Sequence, residues 1–219
     1  MNSDEVLTLL KQKSNPGYLA GMKRFGINCD HALGIPIPEL RKLAKGIKSD
    51  HHLALALWKT NLHEARIFAS LIDDPALVTE EQINNWVRDF NSWDICDQVC
   101  GNLFDRTPFA IKKAIEFSSS EAEFIKRAGF VLMAEYAVHN KTANDEIFID
   151  LLPFIEREAC DERNFVKKAA NWALRQIGKR NKNLRDHAIE TASRILAQNS
   201  KSASWIATNA INELKSKMP

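Results

Sequence analysis

Glycine and proline are scarce in this chain, eight and seven among 219 residues, and no segment alternates polar and apolar residues with the period of a half-buried strand. No β-strand is therefore expected. No run of about 18 apolar residues exists that could cross a bilayer. The opening Met1-Asn2-Ser3-Asp4-Glu5 lacks the basic region and apolar run of a signal peptide. Cysteine is sparse and scattered, at Cys29, Cys96, Cys100 and Cys160. Without a secretory signal these read as reduced thiols in a cytosolic protein. Cys96 and Cys100 stand four apart, but no Cys or His pair follows at a zinc-like distance, so core packing is expected and no metal. Cys29-Asp30-His31 could suggest a nucleophile beside a base, yet adjacent side chains seldom face each other productively, and a loop role is expected. There is no GxGxxG and no P-loop, which removes a nucleotide cofactor. Charge of one sign is not in excess either. The net charge of +2 does not by itself indicate a nucleic-acid partner.

What is present is helical periodicity from end to end. Apolar residues recur at three- and four-residue spacing over Asp4–Lys13, Tyr18–Phe25, Glu39–Ile47, Leu53–Thr60 and His63–Ile72. They do so again from Ile83 to Phe90, from Trp93 to Phe104, and from Thr107-Pro108 to about Ser118. Glu121–His139, Asp145–Glu158, Glu162–Ile177, Leu184–Ala197 and Ala203–Ser216 complete the pattern. Breakers fall between them: Asn15-Pro16-Gly17, the extended Gly34-Ile35-Pro36-Ile37-Pro38, and Asp73-Asp74-Pro75. Thr79-Glu80-Glu81-Gln82 reads as a cap and first turn. His51-His52 reads as a cap or a solvated pair. Trp58, Trp86 and Trp205 sit on apolar stripes and are expected in the core. A chain of this length fits one domain or a repeat array, and residues 1–219 are read as a single domain.

Charge is segregated along the chain. Asp145 to Glu162 holds seven acids against one base, Arg157, whereas Arg163 to Arg185 holds eight bases and no acid. Either this is a solvated helix face or it creates a positive field that the total conceals. Four helices also share a pattern, a basic or polar residue beside a small alanine: Ala65-Arg66, Arg127-Ala128, Lys168-Ala169 and, within Trp205–Ala210, Ala207-Thr208. The steps of 41 from Arg127 to Lys168 and 38 from Lys168 to Ile206 lie close to the helix-pair repeats of HEAT and armadillo arrays. The expected architecture is all-α, an α-α superhelix of antiparallel helix pairs with a concave basic cleft. A row of cations along such a curve suits a phosphate backbone.

Ser92-Trp93-Asp94-Ile95-Cys96-Asp97-Gln98 is the stretch with chemistry in it. Ser92 is a suitable N-cap and Asp94 puts negative charge in the first turn, where the helix dipole favours it. Trp93 and Asp97, four apart, share a helix face. As a rule such a Trp is core and such an Asp is solvated or capping. Together they also form a pair fit for chemistry that builds positive charge on a substrate.

These residues resemble the AlkD-like family of DNA alkylation repair proteins, HEAT-like α-solenoids that include alkylpurine DNA glycosylases. The resemblance runs from Gly34-Ile35-Pro36-Ile37-Pro38-Glu39-Leu40-Arg41 to about Lys182. The family's Trp, and its catalytic Asp four residues on, match Trp93 and Asp97. An Arg in a later helix matches Arg127, and a second Trp matches Trp172. The well-studied members carry a Tyr where this chain has Gly21 and a Gln where it has Pro36. The segment from Lys23 to Gly34 is also longer here.

The resemblance implies a monomeric cytosolic protein, nucleoid-associated when bound to DNA. Its partner is double-stranded DNA containing alkylated bases, with no membrane and no cofactor. Asp97 would stabilise the developing sugar cation and orient water, with Trp93 and Trp172 offering electron-rich faces to the sugar. Arg127 would hold a phosphate beside the lesion, with Lys126, Lys167, Lys168, Arg175, Lys179 and Arg180 along the backbone. The family is thought to grip the damaged nucleotide through its backbone, leaving the base outside a pocket. Two alternatives stay open: a HEAT-like protein that binds damaged or branched DNA without cutting it, and a protein-binding solenoid.

Overall fold

The computed structural model describes residues 1–216. The described residues form thirteen α-helices and one 3-10 turn, with no strand among them. The helices are α1 (Ser3–Gln12), α2 (Pro16–Arg24), α3 (Ile37–Ala44), α4 (His51–Trp58), α5 (His63–Ile72), α6 (Glu80–Arg88) and α7 (Trp93–Asn102). They continue as α8 (Ala110–Ser118), α9 (Glu123–His139), α10 (Asp145–Arg157), α11 (Asn164–Gly178), α12 (Lys182–Leu196) and α13 (Lys201–Ser216). The chain divides into two compact units, Met1–Thr107 and Pro108–Pro219.

In the first unit α5 is the central helix, packed on α3, α4 and α7. Nine of its ten residues are buried, His63, Glu64, Arg66 and Ser70 among them, so each polar one needs a partner. Glu64, fully buried, accepts hydrogen bonds from the backbone N–H groups of Leu33, Gly34 and Ile35 at 2.8, 2.7 and 3.2 Å. That carboxylate pins the irregular segment before α3. Gly34 is required there, since its φ is +77° and a Cβ would lie 2.2 Å from the Asn15 carbonyl oxygen. Trp58 and Trp86 stack at 3.9 Å between centroids, and both are buried as expected.

The second unit is built from the successive helix pairs α8/α9, α10/α11 and α12/α13, with α11 packed on both α9 and α13. Short connections force each helix back along its predecessor. Gly129 sets the closest approach: a Cβ there would stand 2.4 Å from the Ser118 backbone nitrogen and 2.9 Å from the Ala114 carbonyl oxygen.

Three features of the helical framework depart from expectation. The helix expected at Thr107-Pro108 starts at Ala110. A 3-10 turn over Phe104–Arg106 precedes it, and the Thr107 hydroxyl donates to the Phe104 carbonyl instead. Trp205 is 41% exposed rather than core. Asp50, not the His pair, caps α4, while His51 Nδ1 bonds the Asp73 carboxylate at 2.7 Å.

Candidate nucleic-acid interface

Helix α7 opens differently from a simple capped start. Ser92 makes no side-chain cap. Its hydroxyl donates to Asp94 Oδ1 at 2.7 Å, and Asp94 Oδ2 pairs with His63 Nε2 at 2.8 Å. Asp94 is thus a buried first-turn carboxylate that ties α7 to α5. Trp93 Nε1 donates to the Phe25 carbonyl at 2.9 Å, which anchors the indole by its edge to the turn after α2. Asp97 follows one helical turn later, and both side chains are half-buried. The pair expected from spacing therefore stands on one helix face, with the indole fixed from outside its own helix.

The second unit disposes of its cations in an unexpected way. Arg127 is 6% exposed and its guanidinium donates to the Phe165 carbonyl at 2.6 Å. Lys126 is equally buried, its ammonium 2.8 Å from Glu158 and 3.3 Å from Asp161. Burial alone would lower the Lys126 pKa, but its hydrogen bonds to those two carboxylates outweigh this and hold it above the usual range. Burial alone would raise Asp161, yet hydrogen bonds from Arg163 and Lys126 bring it down to about 2. Arg175 and Lys179 both pair with Glu213. Arg180 donates to the carbonyls of Ala137, Asn140 and Ala143, closing the end of α9, with its guanidinium 4.0 Å from the Phe148 ring centroid. Lys167 is half-buried, 5.8 Å from the Trp205 ring centroid, and Lys168 is exposed. Trp172 is half-buried on α11.

Most of the expected cationic row is thus occupied within the fold, and Lys168 is its exposed member. Arg66 behaves likewise in the first unit. It reaches the Asp89 carbonyl at 3.1 Å and carboxylate at 3.3 Å, over the Trp58 ring.

The residues match a known family from Val6 to Leu214, that of the DNA alkylation repair enzyme. This chain belongs to that family. A solved structure aligns with a TM-score of 0.81 at 19% identity, covering 97% of this chain and 95% of the other. That structure represents a new family of proteins related to the HEAT-like repeat DNA glycosylases, with affinity for branched DNA structures. The likeness shows the HEAT-like all-helical fold. Comparison with curated protein sequences gives no match.

His63 and Glu64, which the helical pattern did not single out, hold the start of α7 and the segment before α3 in place. Both open a helix rich in apolar residues on every side, which favours burial, and buried ions require partners. Cys96 and Cys100 are buried as expected, and burial pushes the Cys100 thiol well up. Among the described residues no cluster of ligands suits a metal ion, and no helix is long and apolar enough to cross a membrane.

Proposed function

We propose that this protein is a DNA N-glycosylase that binds duplex DNA and hydrolyses the N-glycosidic bond of purines made cationic by N3 or N7 alkylation. The carrying observation is α7, where an edge-anchored indole at Trp93 stands one turn from the carboxylate of Asp97. Family membership supports the reading. In the reaction the bond from C1′ to the purine nitrogen breaks and its electron pair neutralises the cationic base, so no general acid is needed. Water forms the new bond to C1′ and gives up its proton towards Asp97, whose charge also stabilises the sugar cation. The Trp93 face adds a cation–π contact worth about 1–2 kcal/mol. Lys168, the exposed member of the cationic row, is assigned a phosphate of the DNA backbone. A monomer in the cytosol belongs to the same proposal.

Release of 7-methylguanine from duplex DNA tests this directly. Asp97→Asn should slow release by about 10²-fold or more, and undiminished release would remove Asp97 from the mechanism. A second reading, DNA binding without cleavage, is favoured by the affinity of the structural relative for branched DNA. It predicts tighter binding to a four-way junction than to plain duplex, with no base released by the wild type.

A further inference from the structure

The first unit contains a cavity of about 350 Å³ beside Trp93, and the proposed hydrolysis gives its other lining residues no part. Tyr18 and Phe25, both exposed, stand at its mouth beside Trp93, and the buried Ile35 and Ile67 form its floor. His63 and Asp94 are its buried ionisable lining, and no Lys or Arg lines it. Gly21 also lines it, and a Cβ built there meets nothing within 4 Å, so the space is open up to the helix backbone.

These features specify an occupant. Three aromatic side chains favour a flat ring, and their faces attract positive charge. Asp94, with a side chain only 10% exposed, adds a poorly screened carboxylate to the same wall. A carboxylate accepts only, so His63 Nε2 donates to Asp94 and holds that carboxylate in place on the wall. A cavity of roughly 150 Å³ takes benzene, so this one accommodates a fused two-ring system with an alkyl substituent. We infer that the cavity binds a flat cationic N-alkylated purine, between the aromatic side chains and the Asp94 carboxylate. The choice of a purine rests on the glycosylase reading; the preference for a flat cation rests on the cavity. The ring comes either from a nucleotide extruded from DNA or from the free base after release.

Calorimetric titration of the full chain with 7-methylguanosine, below neutral pH where its ring is cationic, against guanosine isolates the charge. The methylated nucleoside should bind about tenfold tighter or more, and Gly21→Phe should abolish that binding while its thermal unfolding midpoint shows a folded chain. Asp94→Asn should erase the preference between the two nucleosides and serves if Gly21→Phe does not fold. Equal affinity for both nucleosides in the wild type overturns the inference, as does undiminished binding by folded Gly21→Phe. Base release reports on the catalytic reading separately. Gly21-dependent binding without base release keeps the cavity and discards the glycosylase, and base release without nucleoside binding does the reverse. Slower single-turnover excision by Gly21→Phe identifies the extruded nucleotide as the source; an unchanged rate with relief of product inhibition identifies the free base.

Discussion

Glu64 shows how much one buried side chain can organise. Its carboxylate satisfies three consecutive backbone donors in a segment with no regular structure of its own. Glu64→Ala should therefore cost about 3 kcal/mol or more, because each orphaned buried N–H keeps its desolvation penalty. Denaturant titration checks this, and a change within experimental error would show that water replaces the carboxylate. Gly21 makes the opposite case. It sits within α2 with open space beside it, so Gly21→Ala should raise stability by roughly 0.5–1 kcal/mol through helix propensity. The thiols also separate by burial. Native-state labelling should modify the exposed Cys160 and spare Cys96 and Cys100 until the chain unfolds.

At the scale of elements, the α8–α9 contact depends on the missing side chain of Gly129. Gly129→Ala places a methyl group against the backbone of Ser118, which cannot yield as a side-chain tip would. A loss of about 1–3 kcal/mol is expected, read as a lower thermal midpoint. Helix existence was legible in the chain because apolar spacing dictates which face can be buried, and the thirteen helices stand close to the expected spans. Their starts were less legible. Ser92 has the chemistry of a cap, but Asp94 and His63 form a buried pair beside it, and its hydroxyl completes that pair instead. A partner from a helix about thirty residues away, with the cost of an unsatisfied buried carboxylate behind it, outcompetes a local cap.

At the scale of the whole molecule, acid stability should follow the cluster of Lys126, Glu158, Asp161 and Arg163. The Asp161 pKa of about 2 lies below the roughly 3.9 of an unfolded aspartate. Its contribution is therefore fully present above about pH 4 and is lost as pH falls towards 2, amounting to about 1 kcal/mol after allowance for solvent screening. Asp161→Asn should flatten that part of the stability–pH curve, measured by urea denaturation across the range. DNA binding carries a second signature. Lys168→Ala should lower the slope of log affinity against log salt by about one, as for a single phosphate contact, whereas Lys126→Ala should reduce stability and leave the slope unchanged.

The helical character, the repeat spacing and the Trp93–Asp97 pair were set by local order along the chain, since periodicity of 3.6 residues decides what shares a face. The fate of the charges was not. Lys126 finds Glu158 thirty-two residues on, and Arg180 finds carbonyls about forty residues back. A cation on a helix looks the same in sequence whether it meets solvent, a phosphate or the end of a neighbouring helix, and only folding brings those partners within reach.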